Sequence, residues 1–387
     1  MPSASSPRGE VVENLVRDAC MAPSMHNAQP WRFRYSRGGD SIELRAVPER
    51  AVPHADPELR ALHLGCGAAL FNLRVAAQSA GFRPVVTLLP DPDDWQTLAS
   101  VSLRESAGTV DSGLPLLYRA ISERRTSRYP FAERPIPPAL ANRLVEQARS
   151  EGARLAFLSG WHLSLVLDVI EEAELSAGHG GDPDERLWVR TGVKISDAIA
   201  DGVPHDGLGH READGRAPVS DLAHGRSGLD TGTDAGAEAS GAGPHTGTEV
   251  PGAGERGPDM NAGTSRPGTG PQGAVPQGAA PQGGVPGAGA GEFAQLPHLG
   301  LLCTEHDHPD DWLMAGQAME RMLLTATREG LATSFATQAL ERPELRWLLR
   351  DPVWGSGPVQ MVVRLGYGPL DPATPRLPLR DVLEFVP

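Results

Sequence analysis

Near the start of the chain Val11, Val12, Leu15, Val16 and Ala19 recur at helical spacing and predict an amphipathic helix. Trp31, Phe33 and Tyr35 then alternate with Arg32 and Arg34, the two-residue period of a half-buried strand. A second strand is predicted over Ile42–Val47, after the turn Ser36-Arg37-Gly38-Gly39-Asp40. A long helix over Leu59–Gly81 follows, and then a strand-like run at Leu98–Leu103. Further on, helices are predicted at Leu116–Ser122, Pro138–Arg149 and Leu163–Ala177, with a strand at Leu155–Leu158. Pro138 suits a first helical turn because its missing N–H is not needed there. The last part reads as a buried strand His298–Cys303, a helix Trp312–Arg328, a short helix around Pro343–Arg350 and a strand Val359–Leu365.

This pattern contains an internal echo. Within the segment Leu59–Gly81, the stretch from Leu64 aligns without gaps on Leu313–Gly330, with Gly67 on Gly316, Ala69 on Ala318, Leu70 on Met319, Leu73 on Met322, Ala77 on Ala326 and Gly81 on Gly330. Any two amphipathic helices share small and apolar periodicity. These two also share a terminal glycine of the helix-stopping kind and a downstream strand. The chain therefore reads as two related α+β halves, residues 1–110 and 111–387. The second half is interrupted over 203–292 by a Gly/Ala/Pro/Thr-rich tract ending in Pro-Gln-Gly units such as Pro271-Gln272-Gly273. With almost no large apolar residue, that tract cannot offset chain entropy by burial and is expected to be a disordered spacer. The ordered second half is then 111–202 with 293–387.

Bulk properties narrow the function. The 387 residues suffice for two domain-sized cores. A formal net charge of −14 argues against a nucleic-acid partner, although it leaves room for a local basic pocket. No run is long and apolar enough to span a bilayer, so no membrane role is expected. Cys20, Cys66 and Cys303 have no metal or redox spacing, and Met1–Glu10 lacks the apolar core of a signal peptide, which together predict a reducing cytoplasm.

Two segments carry candidate chemistry. Pro23 and Pro30 fix φ and hold the peptide between them open, so that Ser24, Asn27 and Gln29 present polar groups suited to a flat ligand. His26 either contacts that ligand or bonds within the turn. Arg124-Arg125-Thr126-Ser127-Arg128 gathers three guanidinium groups and two hydroxyls, which makes either a phosphate receptor or a solvated surface loop. Arg364, at the end of an apolar strand, is either a sheet-rim cation at a site or a surface charge. His306-Asp307-His308 is crowded into one polar turn and reads as solvated loop rather than metal site. Gly65-Cys66-Gly67 reads as close helix packing.

The segment Pro23-Ser24-Met25-His26-Asn27-Ala28-Gln29-Pro30-Trp31 closely resembles the P-S-x-x-N-x-Q-P-W motif of the nitroreductase superfamily. The His in it is typical of the Acg-type branch. Arg124–Phe131 resembles the R-R-S-x-R-x-[FY] motif of the same family, with Thr126 in the serine position. The resemblance implies an α+β nitroreductase-like fold carrying FMN. It implies that Pro23, Ser24, Met25, Asn27 and Gln29 touch the isoalloxazine and that Arg124, Thr126 and Arg128, with Arg125 nearby, hold the phosphate. Arg364 would reach the phosphate or ribityl chain, Thr337 and Gln338 would lie in the loop covering the ring, and His26 would meet substrate.

Nitroreductases are homodimers whose sites combine both subunits. Here the first half has P-S-M-H-N-A-Q-P-W and the second has R-R-T-S-R, with Glu151-Gly152-Ala153-Arg154-Leu155 where a second P-S-x-x-N would be. The resemblance thus implies a monomeric intramolecular pseudo-dimer, with internal pseudo-two-fold symmetry and one complete flavin site. The reaction it implies is ping-pong hydride transfer from NAD(P)H to a small-molecule acceptor, nitroaromatic or quinone-like, needing no side-chain acid or base. The alternative is a flavin-sequestering or regulatory homologue with little turnover.

Overall fold

The computed structural model describes residues 7–105, 113–127, 129, 131–176, 298–351 and 357–387. All of them belong to one unit of the chain. The expected insertion, 203–292, lies outside the described residues.

The first helix, α1 (Pro7–Ala19), buries the predicted stripe, with Val12 and Val16 fully enclosed. Strands β1 (Trp31–Ser36) and β2 (Ser41–Ala46) form an antiparallel hairpin. Helix α2 (Arg60–Ser79) leads to β3 (Phe82–Leu88) and β4 (Thr97–Glu105). After α3 (Tyr118–Glu123) and α4 (Pro138–Arg149) come β5 (Arg154–Phe157) and α5 (Gly160–Ser176). The remainder is β6 (His298–Cys303), α6 (Pro309–Arg328), β7 (Ala332–Phe335), α7 (Pro343–Leu348), β8 (Val359–Gly366), α8 (Leu379–Val382) and β9 (Leu383–Val386). Among the described residues no helix is long and apolar enough to cross a membrane.

Two sheets result, ordered β3-β4-β2-β1-β9 and β5-β6-β8-β7. The run β1-β2-α2-β3-β4 and the run β5-β6-α6-β7-β8 have the same spatial strand order, so the echo in sequence corresponds to a repeat in topology. Gly81 and Gly330, matched in that echo, end their helices at φ 85° and 77°, the left-handed conformation a C-terminal glycine supplies.

The two repeat helices cross at their matched glycines. A Cβ on Gly67 would lie 2.3 Å from the Leu313 carbonyl oxygen, and one on Gly316 would lie 2.2 Å from that of Leu64. One continuous apolar core runs through this crossing, from Trp31, Phe33 and Leu70 to Met322, Leu302 and Val362.

Three strands were not anticipated. Pro84 breaks the strand pattern of β3, and is tolerated because β3 is the edge of its sheet. Just before Thr337 and Gln338, which the resemblance puts in a loop, the chain forms β7. The four-residue β9 is too short to show a period; it pairs in parallel with β1, Phe33 opposite Leu383 and Tyr35 opposite Phe385. The end of the chain is thereby stitched to its beginning.

Candidate functional site

The turn between α1 and β1 has an unusual backbone. His26, Asn27 and Gln29 adopt φ of 48°, 55° and 51°, a region that non-glycine residues seldom occupy. Such strain persists only where surrounding contacts fix it, and it collects at functional sites. Here Ser24 Oγ accepts the Gln29 amide N–H (2.9 Å), and the Asn27 amide donates to the Ser24 carbonyl (3.0 Å). Ser24 rests on Gly65 of α2, where a side chain would come within 3.3 Å of its Cβ. The Cys66 thiol donates to the Pro30 carbonyl at 3.4 Å, and burial pushes that thiol's pKa up. The Gly65-Cys66-Gly67 run therefore serves close packing. Pro23, Met25 and His26 are half-buried in the same turn.

The chain segment after β8 closes over this turn. Asn27 Nδ2 donates to the Pro375 carbonyl (3.1 Å), and the Leu377 amide donates to Gln29 Oε1 (2.9 Å). Arg376 between them donates from Nε to the Cys20 carbonyl (2.7 Å), from Nη2 to that of Met21 (3.0 Å) and from Nη1 to Asn27 Oδ1 (3.3 Å). Nη1 is also bonded to the Thr374 hydroxyl. Asn27 and Gln29, assigned from sequence to a ligand ring, here brace the C-terminal segment.

The arginine cluster meets the turn at Met21. Arg124 Nη2 donates to the Met21 carbonyl (3.2 Å), which thus accepts from two guanidinium groups, and Arg124 Nη1 donates to Thr126 Oγ1 (3.4 Å). Arg125 donates to the Ser122 and Arg124 carbonyls (2.7 and 2.8 Å). Thr126 is bridged to Thr333 of β7, and the Ser127 amide donates to the Thr333 carbonyl (2.7 Å). Met21, Arg124, Arg125, Thr126, Asp371 and Arg376 line a small cleft of about 30 Å³. Arg128 lies outside the described residues.

Beneath the cleft, Arg124 Nε lies 3.7 Å from Glu320 Oε1, with the two side chains 4% and 0% exposed. Asn72 of α2 faces the same carboxyl. Neither Glu320 oxygen, nor Arg124 Nε, nor the Asn72 amide group makes a hydrogen bond of normal geometry. Burial pushes Glu320 up to about 7, against the pull of Arg124, Asn72 and Arg376. Burial lowers Arg376 to about 10, helped by the neighbouring Arg124 charge.

Other expected residues sit elsewhere. The Arg364 guanidinium is buried 4.3 Å over the Phe131 ring. The Thr337 hydroxyl donates to Glu341 (3.1 Å), with Gln338 half-buried beside it. None of these three lines the cleft. His308 and Asp311 form the N-terminal capping box of α6, and Asp307 binds Arg346 at 2.7 Å, so this polar turn works as a helix start. Arg376 was missed from sequence. An isolated arginine in the Pro-rich run Pro372–Pro378 has no patterned neighbour, and its only signal is an unexplained cation between prolines.

The position matching Ser24's turn in the second repeat is closed. Glu151 accepts from Arg74 (2.6 Å) and Arg321 (2.8 Å), Arg74 also reaches Gln317 (2.8 Å), and Arg321 reaches Gln147 (2.7 Å). In the gapless alignment of the repeat helices, Asn72 falls on Arg321.

No family model matches the chain. Among individual proteins, it is 29% identical over 384 residues to Rv3131 of Mycobacterium tuberculosis H37Rv, which is provisionally named an NAD(P)H nitroreductase. That match covers 98% of this chain and 92% of the relative. The protein acg of the same organism, also provisionally named an NAD(P)H nitroreductase, is 40% identical over 126 residues, 33% of this chain and 37% of that protein. The uncharacterized protein Rv3127 is 26% identical over 381 residues, 97% and 93% of the two chains.

Proposed function

The chain belongs to the nitroreductase superfamily, and on that footing we propose that it is an Acg-type, FMN-dependent NAD(P)H oxidoreductase with one flavin site per chain. The observation that carries this reading is the convergence of Arg124, Arg125, Arg376 and Thr126 on one cleft at the end of a strained turn. Three guanidinium groups and a hydroxyl make a donor set for a phosphate monoester, since guanidinium forks match phosphate oxygens. Arg124, Arg125, Thr126 and Arg376 would hold the phosphate, with Arg128 completing the motif. Pro23, Ser24, Met25, Asn27 and Gln29 would border the ring.

When bound, FMN would supply hydride chemistry between a nicotinamide donor and a nitroaromatic or quinone-like acceptor. The chain's own part is to anchor the phosphate, to fix the turn through Gly65 and Arg376, and to keep Asn27 and Gln29 oriented. His26 would face the acceptor. The pseudo-dimer reading is supported by the shared strand order and by the reciprocal Gly67–Gly316 crossing. The ion pairs of Glu151 support a single site.

One observation favours a second reading, flavin sequestration with little turnover: Pro375 and Leu377 already hydrogen-bond Asn27 and Gln29. The test is the visible spectrum of the natively purified protein. Flavin bands that bleach with NAD(P)H anaerobically and return with a nitroaromatic support the oxidoreductase. Bound flavin that resists bleaching supports sequestration. A colourless protein that FMN cannot reconstitute overturns both.

A further inference from the structure

The Glu320 carboxyl is fully buried on α6, with no hydrogen bond of normal geometry to either oxygen, directly behind an arginine that lines the cleft. An anion entering the cleft and Glu320 therefore compete for the same guanidinium. We infer that Glu320 is the exchangeable counter-charge of the arginine cleft: it pairs ionised with Arg124 when the cleft is empty and takes up a proton when a phosphate ester takes Arg124 over. The inference rests on the flavin reading only for the identity of that ester.

The surroundings permit little else. The charges acting on Glu320 are Arg124, from the segment after α3, and Arg376, from the C-terminal segment. Helix α2 presents the neutral Asn72. Helix α4 presents Gln147, and the turn after it Glu151, but these serve the neighbouring Arg321. On α3, Arg119 and Glu123 are solvent-exposed and pair with each other. With burial holding it near 7, this carboxyl is poised so that a modest change of field moves its proton. A phosphate dianion cancels part of the guanidinium field and adds negative charge, and both effects favour the protonated acid.

The sign follows from linkage. Below about pH 7 Glu320 already holds its proton in the empty cleft, so binding needs no uptake. Above it, binding must draw a proton from solution, and affinity falls by up to about tenfold per pH unit. The ligand's own second ionisation, near pH 6, gives the opposite trend, so the two cannot be confused.

The experiment titrates the full-length protein with FMN by calorimetry, in buffers of different ionisation heat, from about pH 7 to about pH 9. The wild type is expected to take up close to one proton per FMN at the alkaline end, with a dissociation constant that rises with pH. Glu320→Gln, a fixed mimic of the protonated acid, should bind FMN with no uptake and a flat profile over that range. Asp18→Asn, which removes a carboxyl whose pKa is raised by burial away from the cleft and leaves Glu320 in place, should keep the wild-type uptake. Absence of uptake in the wild type, an unchanged slope in Glu320→Gln, or loss of uptake in Asp18→Asn overturns the inference while leaving the flavin reading intact. FMN failing to bind at any pH overturns both.

Discussion

Arg376 joins the two halves of the candidate site. It donates to the carbonyls of Cys20 and Met21 and to Asn27 Oδ1. Replacing it takes the guanidinium donor from the Cys20 carbonyl and leaves Met21 with Arg124 alone, and losing a buried donor is the costly direction for a hydrogen bond. Arg376→Leu is expected to lower stability by about 2–4 kcal/mol and to weaken FMN binding at least tenfold, read by urea midpoint and fluorescence titration. Arg376→Lys should recover part of the charge but little of the stability, because an ammonium cannot reproduce the fork. Arg125→Ala should affect binding with less than about 0.5 kcal/mol of stability, since that side chain bonds only to its own segment. An Arg376→Leu protein as stable as wild type would refute the bracing role. At this scale the sequence disclosed the polar turn and the arginine run, because each is a dense local cluster. Arg376, Asn72 and Glu320 were hidden because their meaning lies in contacts between residues far apart in the chain.

Among elements, the α2–α6 crossing was the most legible feature. Gly67 and Gly316 align in the echo because each must admit the other helix's backbone. Gly67→Ala gains about 1 kcal/mol of helix propensity. It must then fit a Cβ at 2.3 Å from the Leu313 carbonyl oxygen, and overpacking of this kind costs about 1–3 kcal/mol or more. Net destabilisation is expected for Gly67→Ala and for Gly316→Ala by denaturant unfolding. The double variant should cost less than the sum, since one separation of the helices accommodates both methyl groups. A stabilised single variant would contradict the close approach. Edge and exchanged strands were less legible. Pro84 disguises β3, and β9 is defined only by its pairing with β1, which four residues of sequence cannot announce.

For the whole molecule, the question is how many sites two similar halves provide. The shared strand order places a position equivalent to the Ser24 turn beside Glu151. There Arg74 and Arg321 are consumed by Glu151, whose side chain is only 8% exposed. Opening that position would break a buried ion pair, which costs about 3–5 kcal/mol when one partner is removed. No turn of P-S-x-x-N type stands there to repay it. On the other side Asn72 replaces the arginine of the repeat, no such closure forms, and the cleft stays open over Arg124. The protein saturated with FMN is therefore expected to hold one flavin per chain, measured by released-flavin absorbance against quantitative amino-acid analysis. Glu151→Ser, which frees both arginines, should lower stability without raising that ratio, because two unpaired cations do not rebuild the strained turn or its Arg376 brace. A ratio near two in either protein would mean that the halves are equivalent in binding despite their divergence in sequence, and the single-site reading would be lost.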